Sequence, residues 1–246
     1  MVIKNRLPYW RLIPRTHRSP TLTDQSPHER MFNAPATAVL LAAALPVLFW
    51  MQTQLPDEGL SLAFRPASLW RGEGWPTLFT SMVTHSGWTH VMTNAVVALI
   101  FGTPVARLLA GARGTAGFIA FCLLAGAASG IGYALIHPAS EDLLVGASGA
   151  VSGLVGAGLR LVGRRDGRLS GLGDPRFLMM AAVIMALNLV TGLVGLAGDS
   201  LGARIAWEAH VFGFLTGALL IGPWARLFGS RRTSFDSPSD LGDPRD

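Results

Sequence analysis

Six stretches of this 246-residue chain, at 34–51, 90–109, 117–136, 146–162, 177–196 and 207–228, are long, apolar and carry at most two charged residues each. Each approaches the roughly 20 apolar residues needed to cross a hydrocarbon core. Backbone amides and carbonyls in lipid have no water to bond, so such a run must satisfy itself as a helix. The pattern predicts an all-α membrane protein, a bundle of six transmembrane helices. Half of the residues are apolar and only 14% charged, with a mean hydropathy of +0.41, too apolar for a soluble domain of this size. The fourth run is the shortest, and its length also suits a helix shielded from lipid by its neighbours.

The basic residues orient the bundle. Lys4, Arg6, Arg11, Arg15, Arg18 and Arg30 precede the first run, and Arg107 and Arg113 follow the second. Arg160, Arg164, Arg165, Arg168 and Arg176 cluster between the fourth and fifth, and Arg226, Arg231, Arg232 and Arg245 follow the sixth. Only Arg65, Arg71 and Arg204 remain for the opposite side. The excess of cytoplasmic arginine and lysine in membrane proteins then predicts that both termini are cytoplasmic. The isoelectric point near 10.6 is explained by these flanking charges, and they lack the interleaved aromatics of a nucleic-acid surface, so no nucleic-acid partner is expected.

The domain organisation follows: residues 1–33 as a basic cytoplasmic segment, 34–228 as the membrane domain, and 229–246 as a cytoplasmic tail too poor in apolar residues to fold. The first thirty residues lack the apolar core of a cleavable signal, which makes the first run a signal anchor. The single cysteine, Cys122, lies inside a run, so no disulfide framework exists. Arginine outnumbers lysine 19 to 1, consistent with a high-GC bacterium and hence an inner-membrane location.

Polar side chains interrupt this apolar pattern at one level. With the amino terminus inside, the even-numbered runs all begin at the outer face. His90 and Asn94 open the second, Gly146-Ala147-Ser148-Gly149 the fourth, and Ala209-His210 the sixth. Each polar group is costly there, which marks it as a functional candidate. His90 and Asn94, four residues apart, share a helix face. Ser148 falls in the first turn of its helix, where free N–H groups favour negative charge. A hydroxyl needs a base to become a nucleophile, and His210 is the histidine placed to serve Ser148. No carboxylate is positioned to orient that imidazole as in a triad; Glu208 points elsewhere on its helix. Asn94 and His90 would supply donors to a tetrahedral oxyanion. Gly146, Gly149, Gly153 and Ala157 also form a small-residue stripe that packs helices closely whatever the serine does. Gly213 and Gly217 do the same for the sixth run.

These residues bring a family into view. The chain resembles rhomboid intramembrane serine proteases over 34–228. Thr84-His85-Ser86-Gly87-Trp88-Thr89-His90-Val91-Met92-Thr93-Asn94 is similar to that family's H-x-x-x-x-H-x-x-x-N. Gly146-Ala147-Ser148-Gly149 is similar to its G-x-S-G, and the segment from Ala209-His210 to Gly213 and Gly217 to its A-H-x-x-G-x-x-x-G. The resemblance implies Ser148 as nucleophile and His210 as general base. It implies His90, Asn94 and the Ser148 amide as the oxyanion hole, and gives His85 a structural hydrogen-bonding role. It also implies that the 52–88 loop is a partly embedded hairpin bracing the site, with Trp70, Trp75 and Trp88 at the interface. The expected substrates are single-span membrane proteins cut near the outer end of their helix; membrane lipids are the other partners, and neither metal nor cofactor is implied. Three departures stand out: Pro76-Thr77 where the family often has Trp-Arg, Ala106 where some members place a glutamate, and Ser152 where an aromatic often stacks on the catalytic histidine. The last implies that His210 is held by a different contact, or less firmly.

Other chemistries fit less well. A zinc site of the H-E-x-x-H kind is absent from the spacing of His85 and His90. Gly171-Leu172-Gly173-Asp174 has the G-x-G-D form of intramembrane aspartyl proteases, but it sits among loop arginines before Pro175 without a second intramembrane aspartate, so a turn is expected. No internal repeat or intramembrane charge pathway suggests a transporter. The alternative from another class is a catalytically silent rhomboid-like protein that binds or escorts membrane clients. Such relatives usually lose the serine or the histidine, whereas both stand here. Oligomeric state and natural substrate are not encoded in any pattern of the sequence.

Overall fold

A computed structural model describes residues 34–163, 168–194 and 206–229. Within them the protein is helical: α1 (Ala36–Gln52), α2 (Pro66–Trp70), α3 (Thr77–Thr80), α4 (Trp88–Leu108), α5 (Gly111–Ile136), α6 (Ser148–Leu159), α7 (Pro175–Val194) and α8 (Trp207–Phe228). Helices α4, α5, α7 and α8 are long and apolar enough to span a bilayer, and α1 and α6 are shorter apolar helices. The sequence expectations for 1–33 and for the tail beyond Gly229 lie outside the described residues.

The helix ends differ from the apolar runs for local reasons. Helix α5 begins six residues before its apolar run because 111–116, which include Arg113, add nearly two turns that a hydropathy scan ignores. Asp174 ends its turn and caps α7, its Oδ1 accepting the Arg176 N–H at 2.9 Å, with Pro175 at the first helical position; the G-x-G-D segment is a turn before a helix. The fourth run shrinks to α6, only 12 residues or about 18 Å at 1.5 Å per residue. Its start is set by Gly146, whose φ of +112° keeps the chain out of helix until Ser148. Leu154 and Ala157 are completely buried, and Ala150, Val151, Val155 and Leu159 nearly so. Helix α6 is thus the central post of the bundle rather than a lipid-facing span.

Small residues let its neighbours close in. A Cβ on Gly213 would collide with the Gly149 carbonyl, and one on Gly217 with the Gly153 carbonyl. A Cβ on Gly156 would strike the Phe214 carbonyl of α8, and one on Gly153 the Ala125 methyl of α5. Backbone touches backbone along the α6–α8 seam, as small-xxx-small packing allows. Below the seam the core is filled by Phe118, Phe121, Val105 and Ile221, with Cys122 among them. At the end remote from Ser148, Trp224 Nε1 donates to the Gly117 carbonyl at 2.8 Å, and Arg160 reaches from α6 to the Ala218 carbonyl at 2.8 Å. With Ala106 in place of a glutamate, these two contacts join helices at that end.

Between α1 and α4 the chain folds as short helical turns packed on α5. Phe64, Leu69 and Leu78 form a small core with Ala134. Phe64 pairs with Leu144 through N–H···O bonds of 3.0 and 2.8 Å, and Trp70 Nε1 bonds the Ala134 carbonyl at 3.0 Å. The rest of Trp70, with Trp75 and Trp88, is half exposed, as interfacial indoles would be.

The seam makes a direct prediction. Gly217→Val should destabilise the protein by about 1–3 kcal/mol, the usual cost of overpacking a close helix contact. Gly173→Ala, with open space around it, should leave stability unchanged. Thermal unfolding in detergent measures both, and equal midpoints would refute the close seam.

Candidate active site

Three helix starts and one helix end converge at the rim of α6. Ser148 is the first residue of α6, and its Oγ lies 2.9 Å from His210 Nε2 on the first turn of α8. His90 and Asn94 sit one turn apart on α4, facing the same point. The His90 ring occupies the space that a Cβ on Gly146 would need, 2.7 Å from Cε1 and 2.8 Å from Nε2. Gly146 is therefore required twice, by its positive φ and by this ring. Asn94 is 5% exposed, and its Nδ2 is buried with no hydrogen-bond partner among the described residues. That nitrogen comes 3.6 Å from the same Cβ position. A buried amide donor left open beside the Ser148 hydroxyl calls for an explanation.

The serine loop is braced from two sides. Gly146 N–H donates to the Ser81 carbonyl at 2.8 Å. Ala147 N–H points at His85 Nε2 over a longer 3.4 Å. His85 is 2% exposed; burial first, and neighbouring His90 second, push its pKa down to about 3, so it stays neutral and can accept. Its backbone is clamped by Gln52 at the end of α1, which accepts from the His85 N–H at 2.7 Å and donates to the His85 carbonyl at 2.8 Å. The same Gln52 amide donates to the Glu58 carbonyl at 2.9 Å. Phe49 packs edge-on against both Trp88, at 5.0 Å, and His85, whose ring in turn meets His90 at 5.2 Å. His90 Nδ1 is 2.9 Å from the Ser86 hydroxyl. His85 thus buttresses the loop and does not touch Ser148 by hydrogen bond.

His210 is oriented by a residue that the sequence reading passed over. Its Nδ1 lies 2.7 Å from Asn188 Oδ1 on α7, and Asn188 Nδ2 donates to the Trp207 carbonyl at 2.9 Å. Ser152, half-buried one turn along α6 from Ser148, is not the partner. Glu208 faces away, 3.4 Å from His137. Ser129 was passed over as well: buried in α5, its hydroxyl donates to the Ala209 carbonyl at 2.6 Å and fills the space beside Gly149. The signal for both was the one applied to Ser148, a polar side chain inside an apolar run. Gly149, Gly213 and Gly217 act as contact surfaces only.

An open cavity of about 1990 Å³ joins these groups, with Ser148, His210, Asn94, His90 and Asn188 on its walls. That is well above the roughly 300–1,000 Å³ of a small-molecule pocket and suits a polypeptide segment.

Replacing Gln52 by leucine would leave the buried His85 backbone unpaired. A loss of about 1–3 kcal/mol of stability is expected, and thermal unfolding of Gln52→Leu beside Gln52→Glu, which keeps the acceptor for the His85 N–H, checks it; a leucine variant as stable as wild type would mean that Gln52 is not the clamp.

The Rhomboid domain matches residues 67–226, about two thirds of the chain, taking in His85, His90, Asn94, Ser148, Asn188 and His210 but not Phe49, Gln52, Glu58 or Phe64. A Bacillus subtilis (strain 168) protein named "Putative rhomboid protease YdcA" is 26% identical over 194 residues, covering 74% of this chain and 85% of its own length. Rhomboid proteins are typically intramembrane serine proteases. With its apolar helices and this match, the chain is a multi-pass membrane protein that belongs to the rhomboid family.

Proposed function

We propose that this protein is an intramembrane serine endopeptidase of the bacterial inner membrane. In this reading six helices cross the bilayer with both termini in the cytoplasm, and the enzyme cuts transmembrane segments of other membrane proteins near the outer face. The observation that carries it is the 2.9 Å contact between Ser148 Oγ and His210 Nε2, at the rim of a cavity large enough for a peptide.

The chemistry runs as acyl transfer. His210 Nε2 takes the Ser148 proton as Oγ attacks the scissile carbonyl. The tetrahedral oxyanion is met by Asn94 Nδ2, which has no other hydrogen-bond partner among the described residues, and by the Ser148 amide at the start of α6. His90 adds a donor at Nε2 when Ser86 donates its hydroxyl to Nδ1. His210 then passes its proton to the leaving amine, and water drawn in through the cavity releases the acyl group by the reverse sequence. Donors fixed in this way before reaction need no reorganisation as charge develops.

A substrate helix must present an extended strand to Ser148, because a helical segment hides its carbonyls in its own hydrogen bonds. Segments with helix-weakening residues near their outer end are therefore the expected targets. A client-escorting role without cleavage would not need Ser148 and His210 in contact.

Purified protein and a fluorogenic transmembrane substrate test the reading. Ser148→Ala and His210→Ala should each abolish cleavage and fluorophosphonate labelling while inserting normally, since members of one catalytic unit fail together. Substantial turnover by Ser148→Ala would end the assignment, and binding without turnover by the wild type would favour the escort role. Asn94→Ala and His90→Ala should lower the catalytic rate by roughly 10- to 1,000-fold, as loss of one oxyanion donor does. Unchanged rates in both and in the double variant would mean that other groups form the hole.

A further inference from the structure

Three hydrogen-bonding contacts fix the proton on the imidazole. The Trp207 carbonyl can only accept, so the Asn188 atom 2.9 Å from it must be the amide nitrogen. Its other atom, Oδ1, is then the one 2.7 Å from His210 Nδ1. An amide oxygen cannot donate, so Nδ1 must carry the hydrogen. Neutral imidazole has one N–H, which leaves Nε2 as a lone pair facing the Ser148 hydroxyl at 2.9 Å.

We propose that Asn188 is a positioning residue of this enzyme, selecting the Nδ1–H tautomer of His210 and holding its ring toward Ser148. It fills, with a neutral amide, the place a buried carboxylate occupies in a serine–histidine–carboxylate triad. The amide accepts from Nδ1–H in the resting state and stabilises the imidazolium once the serine proton has moved to Nε2. No charge has to be buried beside the cavity to do this, which suits a site framed by apolar helices. It also supplies the contact that Ser152 lacks. The placement is specific: Asn188 is tied at both ends of its amide, to Trp207 at the start of α8 and to His210 one turn later, so its orientation cannot flip without losing both bonds. Gly192, one turn further along α7, lets the Trp207 side chain lie against the helix, since a Cβ there would meet Trp207 Cβ at 2.7 Å. That close approach sets the distance across which Asn188 reaches.

This inference rests on the protease reading for its kinetic consequences but not for the tautomer itself. The test therefore has two arms, both on the full chain. In the first, 15N shifts of the imidazole nitrogens are read in protein labelled at histidine, the His210 signals being assigned by their loss in His210→Gln. The wild type should show a protonated Nδ1 and an unprotonated Nε2 at neutral pH. In Asn188→Leu, of similar volume and without the acceptor, the pattern should move toward protonation at Nε2.

In the second arm, Asn188→Leu should lower kcat by about 100- to 10,000-fold, the range set by a wrongly held catalytic imidazole, with KM within about twofold. Asn188→Asp keeps an oxygen toward Nδ1 and should recover at least tenfold over the leucine variant. A wild-type His210 protonated at Nε2, or an Asn188→Leu enzyme within threefold of wild-type kcat, would overturn the proposal. If Asn188→Leu fails to fold, the wild-type spectrum and the aspartate variant still decide: Nε2 protonation in the former, or a folded aspartate variant more than about 1,000-fold slower than wild type, counts against it. A wild-type protein with the expected tautomer but no cleavage or labelling would instead sink the protease reading while leaving the contact intact.

Discussion

Everything at the site depends on how closely α8 can approach α6. The Ser148 hydroxyl and the His210 ring must come within hydrogen-bond reach from two separate helices, and side chains on the seam would hold them apart. Gly213 and Gly217 remove that obstacle by letting α8 rest on the Gly149 and Gly153 carbonyls. Lipid supplies no hydrophobic push between helices, so the association relies on such dense contact and on bonds across it. Ser129 completes the join from α5, its hydroxyl pinning the Ala209 carbonyl immediately before His210. The geometry of the Ser148–His210 pair is thus a consequence of backbone packing, with the short, almost wholly buried α6 as the fixed reference.

The second governing constraint is the cost of unpaired polar groups in a buried setting. Around Ser148 most of that cost is met within the protein: Gln52 satisfies the His85 backbone, Ser81 the Gly146 amide, and Asn188 both Trp207 and His210. Two side-chain atoms stand out as buried without a partner among the described residues, His85 Nδ1 and Asn94 Nδ2. The Asn94 nitrogen faces the cavity, and leaving a donor open there costs on the order of 1–3 kcal/mol. An oxyanion arriving at the site would recover this, which is how a donor can favour the transition state over the resting enzyme. His85 Nδ1 lies on the far side of its ring from the Ala147 amide, and the structure gives it no such use.

Much of this was legible in the sequence, and the reasons are physical. Apolar runs report helices because lipid permits little else, and Ser148, His210, His90 and Asn94 stood out because each interrupts such a run at one depth. The glycines of the seam were legible as pairs four residues apart. What escaped was relational. Asn188 lies in the middle of an apolar run, as conspicuous by composition as Asn94, but nothing in its neighbourhood says that it meets His210 from another helix. A carboxylate is the usual orienting group for such an imidazole, and here a neutral amide stands in the equivalent position. Gln52 was hidden by its place at a helix end, where a polar residue needs no explanation. The extent of α6 was misread because a hydropathy run does not register the positive φ of Gly146 that delays the helix by two residues.

Helix α7 adds a final consequence. Its first turns are anchored where Phe177 packs on Phe214 with Val155 and Leu159, and its later part is joined to α8 through Asn188 and the Gly192–Trp207 contact. Between and around these points it presents Met179, Val183, Leu187 and Leu193 outward, all more than half exposed. A hydrogen bond of 2.7 Å is lost once its atoms part beyond about 3.5 Å, so a displacement of α7 by roughly an ångström at Asn188 would release Nδ1 of His210. The orientation of His210 is therefore coupled to the position of the most lipid-exposed helix among those described. On the proposed protease reading, any segment that displaced α7 would have to let that contact re-form before His210 could take the Ser148 proton.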